Sequence, residues 1–568
     1  MQRITLNNFR VFGTTASFDL APVTVLTGKN NSGKSSLIKA FLVLGDYLDS
    51  KDQTVLRLDG PSAGKHRITS YDTLMNRYFS ESNNVVLGYT NGDYEFEYEF
   101  NEHIDQTKAS LSKFTMRANP LKEELVLQRI SRARGVFELS VSQNFIDFLT
   151  ADPKEKARIL NDGQYERELV QARKELQFFS DGADRIMNED GEMEYISGQW
   201  AKPGDFPGII NPGVIGERQQ LQKRIKELQK MVGVAKTNAG IFFRAEVSLH
   251  AEGLSSLTIT DLLQEALASY IRADDTRKVK RFKFQDSSSE RRLLLDFRQR
   301  VAELMVFTPF HLGPNRTHQA RLFIPQQGSS EIGAVAKAFV QAMVSFELKA
   351  GAPAVTTADK FLRHWLKEFG IGEQVIVTAV EDTGYTIMVV VDDTMEPVSL
   401  ADLGFGPGQL LAILMQTATV VQILETQASM RGNKHFAPAL VLIEEPEANL
   451  HPKLQSRLAE MFLQLANEYR LSVIIETHSE YMLRKMQILV ATEQYATEDI
   501  ILHYLDRTRS TDINGKADVD VVHFDMNNRR ISIMPDGKLS EAFGPGFFDE
   551  AGEEALALHR LQRKNLRS

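Results

Sequence analysis

Cysteine is absent from all 568 residues, which excludes disulfides, thiol catalysis and cysteine-ligated zinc and fits a reducing cytoplasm. No uninterrupted apolar run reaches the ~18 residues a membrane span requires. The opening MQRITLNNFRVFG lacks the apolar core of a secretion signal, so no membrane role is expected. A surplus of positive charge is missing too. Lys and Arg number 66 against 75 Asp and Glu, a formal net charge of −9. The surface as a whole therefore does not attract nucleic acid, and any such contact must come from a local patch. Internal repeats and low-complexity tracts are also wanting, so long disordered regions are not expected. With 42% hydrophobic and 25% charged residues, the chain has the balance of an ordinary globular protein long enough for a large core and several domains.

The chain opens with strand-like RITLNNF and PVTVLTG, the latter running into GKNNSGKSS and the helical LIKAFLVLGDYL. Strand, glycine loop and helix in that order begin an α/β nucleotide-binding lobe. Residues 85–100, VVLGYTNGDYEFEYEF, read as a β-hairpin with alternating aromatics about Asn91-Gly92. From about 151 to 300 charged helices dominate. GERQQLQKRIKELQKMV places Leu221, Ile225, Leu228 and Val232 at heptad-like spacing, a stripe short enough for an inserted arm rather than a rod. VFTPFHLGP (306–314) returns to strand, and VIVTAVEDTGYTIMVVVDD (375–393) is a second hairpin. The expected organisation is a lobe with P-loop and β-hairpins at 1–150, a helical insertion at 151–300, and a second ATPase part with a C-terminal α/β extension at 301–568.

Gly28-Lys29-Asn30-Asn31-Ser32-Gly33-Lys34-Ser35 fits the P-loop pattern at every specified position and lies between an apolar strand and an apolar helix. Gly28, Asn30, Asn31, Ser32, Gly33 and Ser36 belong to the candidate phosphate cradle. Lys34 would reach the β- and γ-phosphates of ATP, and the Ser35 hydroxyl would bind Mg²⁺. Downstream, ALVLIEEPEANLHP (439–452) reads as a buried strand ending in two carboxylates. Glu444 would serve the Mg²⁺ shell, and Glu445 would orient or deprotonate the attacking water. LSVIIETHSEYML (471–483) supplies another apolar strand ending at Thr477-His478-Ser479, where His478 could sense the γ-phosphate at the catalytic edge of a parallel sheet. DLGFGPGQLL (402–411) crowds three glycines and a proline ahead of a helix-like LLAILMQTATVV. A turn of that kind bares backbone N–H groups at the positive end of a helix dipole, as phosphate sites do.

Lys34 and Glu445 are far apart in the chain, with the glycine turn ahead of the acidic strand and His478 after it. That order resembles the ABC-type ATPase heads: an α/β P-loop head with an antiparallel β subdomain and, here, a short inserted helical arm. The resemblance implies ATP and Mg²⁺ as ligands. It also implies a homodimer or higher oligomer in which Gly406, Gly408 and Gln409 meet the nucleotide of a partner head, with Asn449-Leu450-His451 at the interface. LNNFRVFG, HLGPNR (311–316), DLGFGPGQLL, IEEPEANLHP, IETHSEYMLRKMQ and GFFDE (546–550) resemble more narrowly the OLD-like and Septu-type ATPases of bacterial anti-phage defence. The glycine turn departs from family signatures in lacking a serine. OLD proteins and the Gabija ATPase continue into a TOPRIM nuclease, for which the stretch after His478 is too short, and Asp518-Val519-Asp520 reads as a strand with solvated aspartates.

The function so implied is an ATPase subunit that senses or gates a separate effector, such as an HNH-type nuclease. A DNA-repair or DNA-clamping ATPase resembling the RecF and SMC heads is the alternative. RKVKRFKF (277–284) interleaves basic residues with phenylalanines, a pattern that suits either nucleic-acid contacts or a solvated face. The C-terminal HRLQRKNLRS is a second basic patch, for which a solvated helix end complementing the dipole is the favoured reading. Arg316 and Arg321 would either approach nucleotide or fix the two lobes.

Overall fold

A computed structural model describes residues 1–76, 83–131, 135–152, 154–156, 159, 172–173, 185–187, 193–195, 223–226, 242–249, 256–274, 287–314, 316, 320–324, 331–350, 356–381, 383–391, 396–431, 439–509 and 524–543. Most of the heptad-like helix, RKVKRFKF, Asp518-Val519-Asp520, GFFDE and the C-terminal basic segment lie outside the described residues. The chain divides into two compact units. One comprises Met1–Phe114, Ser256–Ile259 and Glu303–Ser568, the other Thr115–Ser255 and Thr260–Ala302.

The first unit is built on a six-stranded sheet in the spatial order Thr308–Leu312, Ala439–Glu444, Ser472–Glu476, Val23–Gly28, Ile500–Arg509, Phe524–Ser532. The first five are parallel and the last is antiparallel. Strands covered on both faces need continuous apolar runs, and VTVLTG and ALVLIE provide them, with nearly every residue buried. Helices Lys34–Leu48, Thr357–Glu368, Phe405–Arg431, Pro452–Tyr469 and Glu480–Ala491 bury apolar faces in the unit. Phe405–Gln427 is the one described helix long and apolar enough to cross a membrane, and 78% of its apolar window is buried inside the protein. It is a core helix.

An antiparallel sheet contains Ala16–Asp19, Arg3–Asn7, Val85–Asn91, Tyr94–Glu102, Lys108–Ala118 and Val55–Arg57. The first expected hairpin is there. Asn91 pairs with Tyr94, so the two-residue turn is Gly92-Asp93 rather than Asn91-Gly92, and Gly92 takes the positive φ of 59°. Tyr94, Phe96, Tyr98 and Phe100 all face the core. The second hairpin pairs Gln374–Val380 with Gly384–Val390. The α/β head with an antiparallel β subdomain is thus the fold found. In the second unit Val136–Ser142 pairs antiparallel with both Glu123–Ser131 and Phe242–Ser248. There Arg298 donates to Asp261 at 2.9 Å, joining helices Ile259–Asp274 and Ser287–Met305.

Candidate nucleotide site

Parallel pairing decides what meets at the carboxyl edge of the first unit's sheet. Glu444 lies opposite Glu476, and Glu476 lies opposite Leu26, two residues before the glycine loop. Val23–Gly28 ends at Gly28, whose φ is 124°. A Cβ there would fall 2.0 Å from the carbonyl oxygen of Leu505 on the neighbouring strand, so glycine is required both sterically and conformationally. Asn31 and Gly33 also take positive φ, 61° and 95°. Gly33 caps helix Lys34–Leu48, a curled approach of the kind that bares backbone N–H groups for phosphate.

Lys34 is buried, and its ammonium donates to the carbonyls of Gly28 and Lys29 at 2.9 and 2.8 Å. Burial pulls its pKa below the usual lysine value, opposed by the charges of Glu476 and Glu445. The Ser35 hydroxyl donates to both carboxylate oxygens of Glu476 at 3.2 and 3.1 Å. Glu444 has a different partner: His311 Nε2 lies 2.7 Å from its Oε1. Ser32 Oγ is buried and has no hydrogen-bond partner among the described residues. Ser36 Oγ accepts from Arg10 at 3.3 Å, and exposed Asn30 sits at the loop tip.

Glu445 is exposed and left-handed, with φ 45°, and its N–H donates to the Glu476 carbonyl at 2.7 Å. A non-glycine residue there stores roughly 1–3 kcal/mol of strain. The backbone N–H of His478 donates to Glu447 at 2.7 Å. Desolvation of its inner face, with Lys34 nearby, lowers the His478 imidazole below its usual pKa. Burial raises Glu447. It also raises Glu476, to about 7, and the Glu444 charge adds to this. Glu476 is only 6% exposed.

The glycine stretch is arranged differently from the turn read in the sequence. Gly404, at φ 85°, makes the turn, and the helix begins at Phe405, so Gly406, Pro407 and Gly408 form its first turn. Proline is tolerated there because its missing N–H is one the helix leaves unbonded. A Cβ at Gly406 would meet the Asn449 carbonyl at 3.4 Å, which puts this turn beside Asn449-Leu450 of the same chain. Gly408 and Gln409 are buried. Gln409 accepts from Arg316 at 3.0 Å, and Arg316 also donates to the Glu444 carbonyl. Arg316 is fully buried, and desolvation brings it down to about 10 against the pull of Glu447, Glu331, Glu445 and Glu444. Of the two uses open to Arg316, fixing elements together is the one its contacts display. Arg321 pairs with Asp402 at 2.9 Å on the surface.

Glu476 and His311 carried no role in the sequence reading. The signal for Glu476 was an acid closing the apolar run SVII. For His311 only its place in HLGPNR was visible. No group of three or more acidic or histidine residues poised as a metal cage occurs among the described residues. The donor set instead suits a cation shared with phosphate: one hydroxyl, neighbouring carboxylates and a lysine, beside a buried Ser32 hydroxyl with a free bonding capacity.

The family described as "AAA ATPase domain" matches residues 1–192 and 349–483, more than half of the chain. The lipoprotein-releasing system ATP-binding protein LolD of Rickettsia felis is 29% identical over 132 residues, 22% of this chain and 54% of that protein. The chain spans about half the length of that curated relative. Among solved structures, a Pyrococcus furiosus Smc head with an extended coiled coil bound to the C-terminal domain of ScpA aligns over 93% of this chain and 96% of its own, at 11% identity and TM-score 0.29. The SMC head from Thermotoga maritima aligns over 89% and 94%, at 10% and 0.29. At that TM-score the two structures carry no weight. The family match spans loop, sheet edge and His478, and by it the chain belongs to the AAA ATPase domain family.

Proposed function

We propose that this chain binds ATP with Mg²⁺, hydrolyses it, and works in the cytoplasm as the ABC-type ATPase subunit of an anti-phage complex. ATP-dependent pairing of two heads would gate a separate effector such as an HNH-type nuclease. The observation that carries the catalytic part is the convergence of Lys34, Ser35, Glu444, Glu445 and Glu476 on one sheet edge through the register of three adjacent strands. Backbone N–H groups of residues 30–35 and the Lys34 ammonium would hold the phosphates. Ser35 and Glu444 would hold the cation, which offsets phosphate charge when bound. Glu445, exposed in its left-handed turn, would take a proton from water, and His478 would contact the terminal phosphate. The gating role rests on the sequence blocks shared with OLD-like and Septu ATPases.

Nucleotide titration with and without Mg²⁺ tests the first part: Lys34→Ala should abolish binding, while Glu445→Gln keeps it and loses about 10²–10⁴-fold in turnover. Unchanged binding in Lys34→Ala would remove the assignment. Purification of the chain with the products of neighbouring genes tests the second. A co-eluting nuclease supports gating, whereas retention of DNA with no protein partner would favour the DNA-clamping alternative.

A further inference from the structure

The Ser35 hydroxyl has one hydrogen and two lone pairs. Its hydrogen is committed to Glu476, which accepts it on both carboxylate oxygens at 3.2 and 3.1 Å. Rotation about the Ser35 side chain is thereby fixed, and the lone pairs are turned away from Glu476. A hydroxyl that ligates a cation must present a lone pair to it, and ligands oriented by a second acceptor bind better than freely rotating ones. Glu476 is suited to that task because it is nearly inaccessible to solvent, so few waters compete for its oxygens. Its backbone is also held on both sides, opposite Glu444 and opposite Leu26. Its carbonyl accepts the Glu445 N–H at 2.7 Å, which ties the same residue to exposed Glu445. Glu444, by contrast, is engaged by His311 and by Arg316 through its carbonyl, and no hydrogen bond joins it to Ser35.

We infer that Glu476 is the positioning residue of the divalent-cation site, orienting the Ser35 hydroxyl and supplying, when ionised, a second negative charge beside Glu444. The inference rests on the ATP–Mg²⁺ reading above and assigns Glu476 a part that neither Ser35 nor Glu444 can play alone. Glutamine at 476 keeps an oxygen that can accept from Ser35 but loses the charge. Alanine loses both. The two changes should therefore grade the effect.

The test uses the full chain and a fluorescent ATP analogue, titrated first in EDTA and then with increasing Mg²⁺, with Mn²⁺ binding followed by electron paramagnetic resonance. In EDTA, Glu476→Gln and Glu476→Ala should bind the nucleotide at least as tightly as the parent does, since each removes a negative charge near Lys34 and no phosphate donor. The Mg²⁺ concentration giving half-maximal tightening should rise in both, by about 10- to 100-fold in Glu476→Ala and by less in Glu476→Gln, with the Mn²⁺ signal shifting in the same order. Parent-like Mg²⁺ and Mn²⁺ curves in both variants would overturn the role of Glu476 while leaving the ATP assignment intact. A parent chain that shows no Mg²⁺-dependent tightening would instead overturn the ATP–Mg²⁺ reading itself. A variant that loses nucleotide in EDTA as well as in Mg²⁺ would mark Glu476 as a structural prop of the P-loop, and that too overturns the inference.

Discussion

Glu476 gives the most quantitative handle on the site, through the pH dependence of stability. Its carboxyl titrates at 4.5 in an unfolded chain, and in the fold burial, reinforced by the Glu444 charge, raises it to about 7. A carboxyl with a raised folded pKa lets the native state hold the proton longer than the unfolded state. Its contribution is therefore fully present below pH 4.5 and is lost as pH rises through about 7. The interval is worth about 3 kcal/mol at 1.36 kcal/mol per pH unit. Glutamine at 476 has nothing to ionise, so Glu476→Gln should gain on the parent as pH climbs through that window. For a chain of this size melting as one unit, the gain amounts to roughly 2–3 °C in Tm. Melting both proteins in EDTA at pH steps from 4.5 to 8 isolates the effect, because the other titrating groups are common to both. A Tm difference that stays constant across that range would mean that Glu476 ionises as an ordinary carboxylate, and the description of a buried, like-charged pair at the strand ends would be wrong.

Gly28→Ala would meet the Leu505 carbonyl in a conformation alanine avoids. It should cost at least about 1–3 kcal/mol and abolish nucleotide binding, as thermal melts and titration would show. Arg316→Met should lower stability by about 3–5 kcal/mol, because it leaves the Gln409 amide and Glu444 carbonyl without their buried donor. A melt within 1 kcal/mol of the parent would refute that. Phe405 is 43% exposed at the start of its helix. Under the head-pairing proposal, Phe405→Glu in a Glu445→Gln background should abolish ATP-dependent association in sedimentation while leaving each chain's own nucleotide affinity unchanged.

What could be read from the sequence was what is local or repeats a fixed period. The P-loop is contiguous, so strand, loop and helix announce each other. Glu444 and Glu445 close an unbroken apolar run, which marks a strand end whatever its neighbours are. The contacts among Ser35 and Glu476, Glu444 and His311, and Gln409 and Arg316 were hidden for a common reason. Each joins segments far apart in the chain, 441 positions apart for Ser35 and Glu476, and only the spatial order of parallel strands brings them together. Nothing in SVIIE says that its final glutamate will lie between the acidic strand and the P-loop strand rather than at an open edge.

The glycine stretch shows how a correct local signal can still misplace a site. Three glycines and a proline suggested a turn ahead of the helix, but only Gly404 needs positive φ, and Pro407 fits the first helical turn it occupies. A helix leaves its first four N–H groups without internal partners. Counting from the cap, these belong to Gly404, Phe405, Gly406 and Pro407, and proline has none to offer. Gly408 begins the internally bonded ladder and is buried, as is Gln409, whose side chain serves Arg316 of its own chain. Any phosphate presented by a partner head would therefore have three donors to meet, those of Gly404, Phe405 and Gly406, with the exposed Phe405 ring beside them. Gly408→Arg cannot probe that contact cleanly, since an arginine there would be forced into the chain's own interior. A charge at Phe405 lies on the solvent side of the same turn, so it alone can distinguish a phosphate-reading helix start from a plain cap.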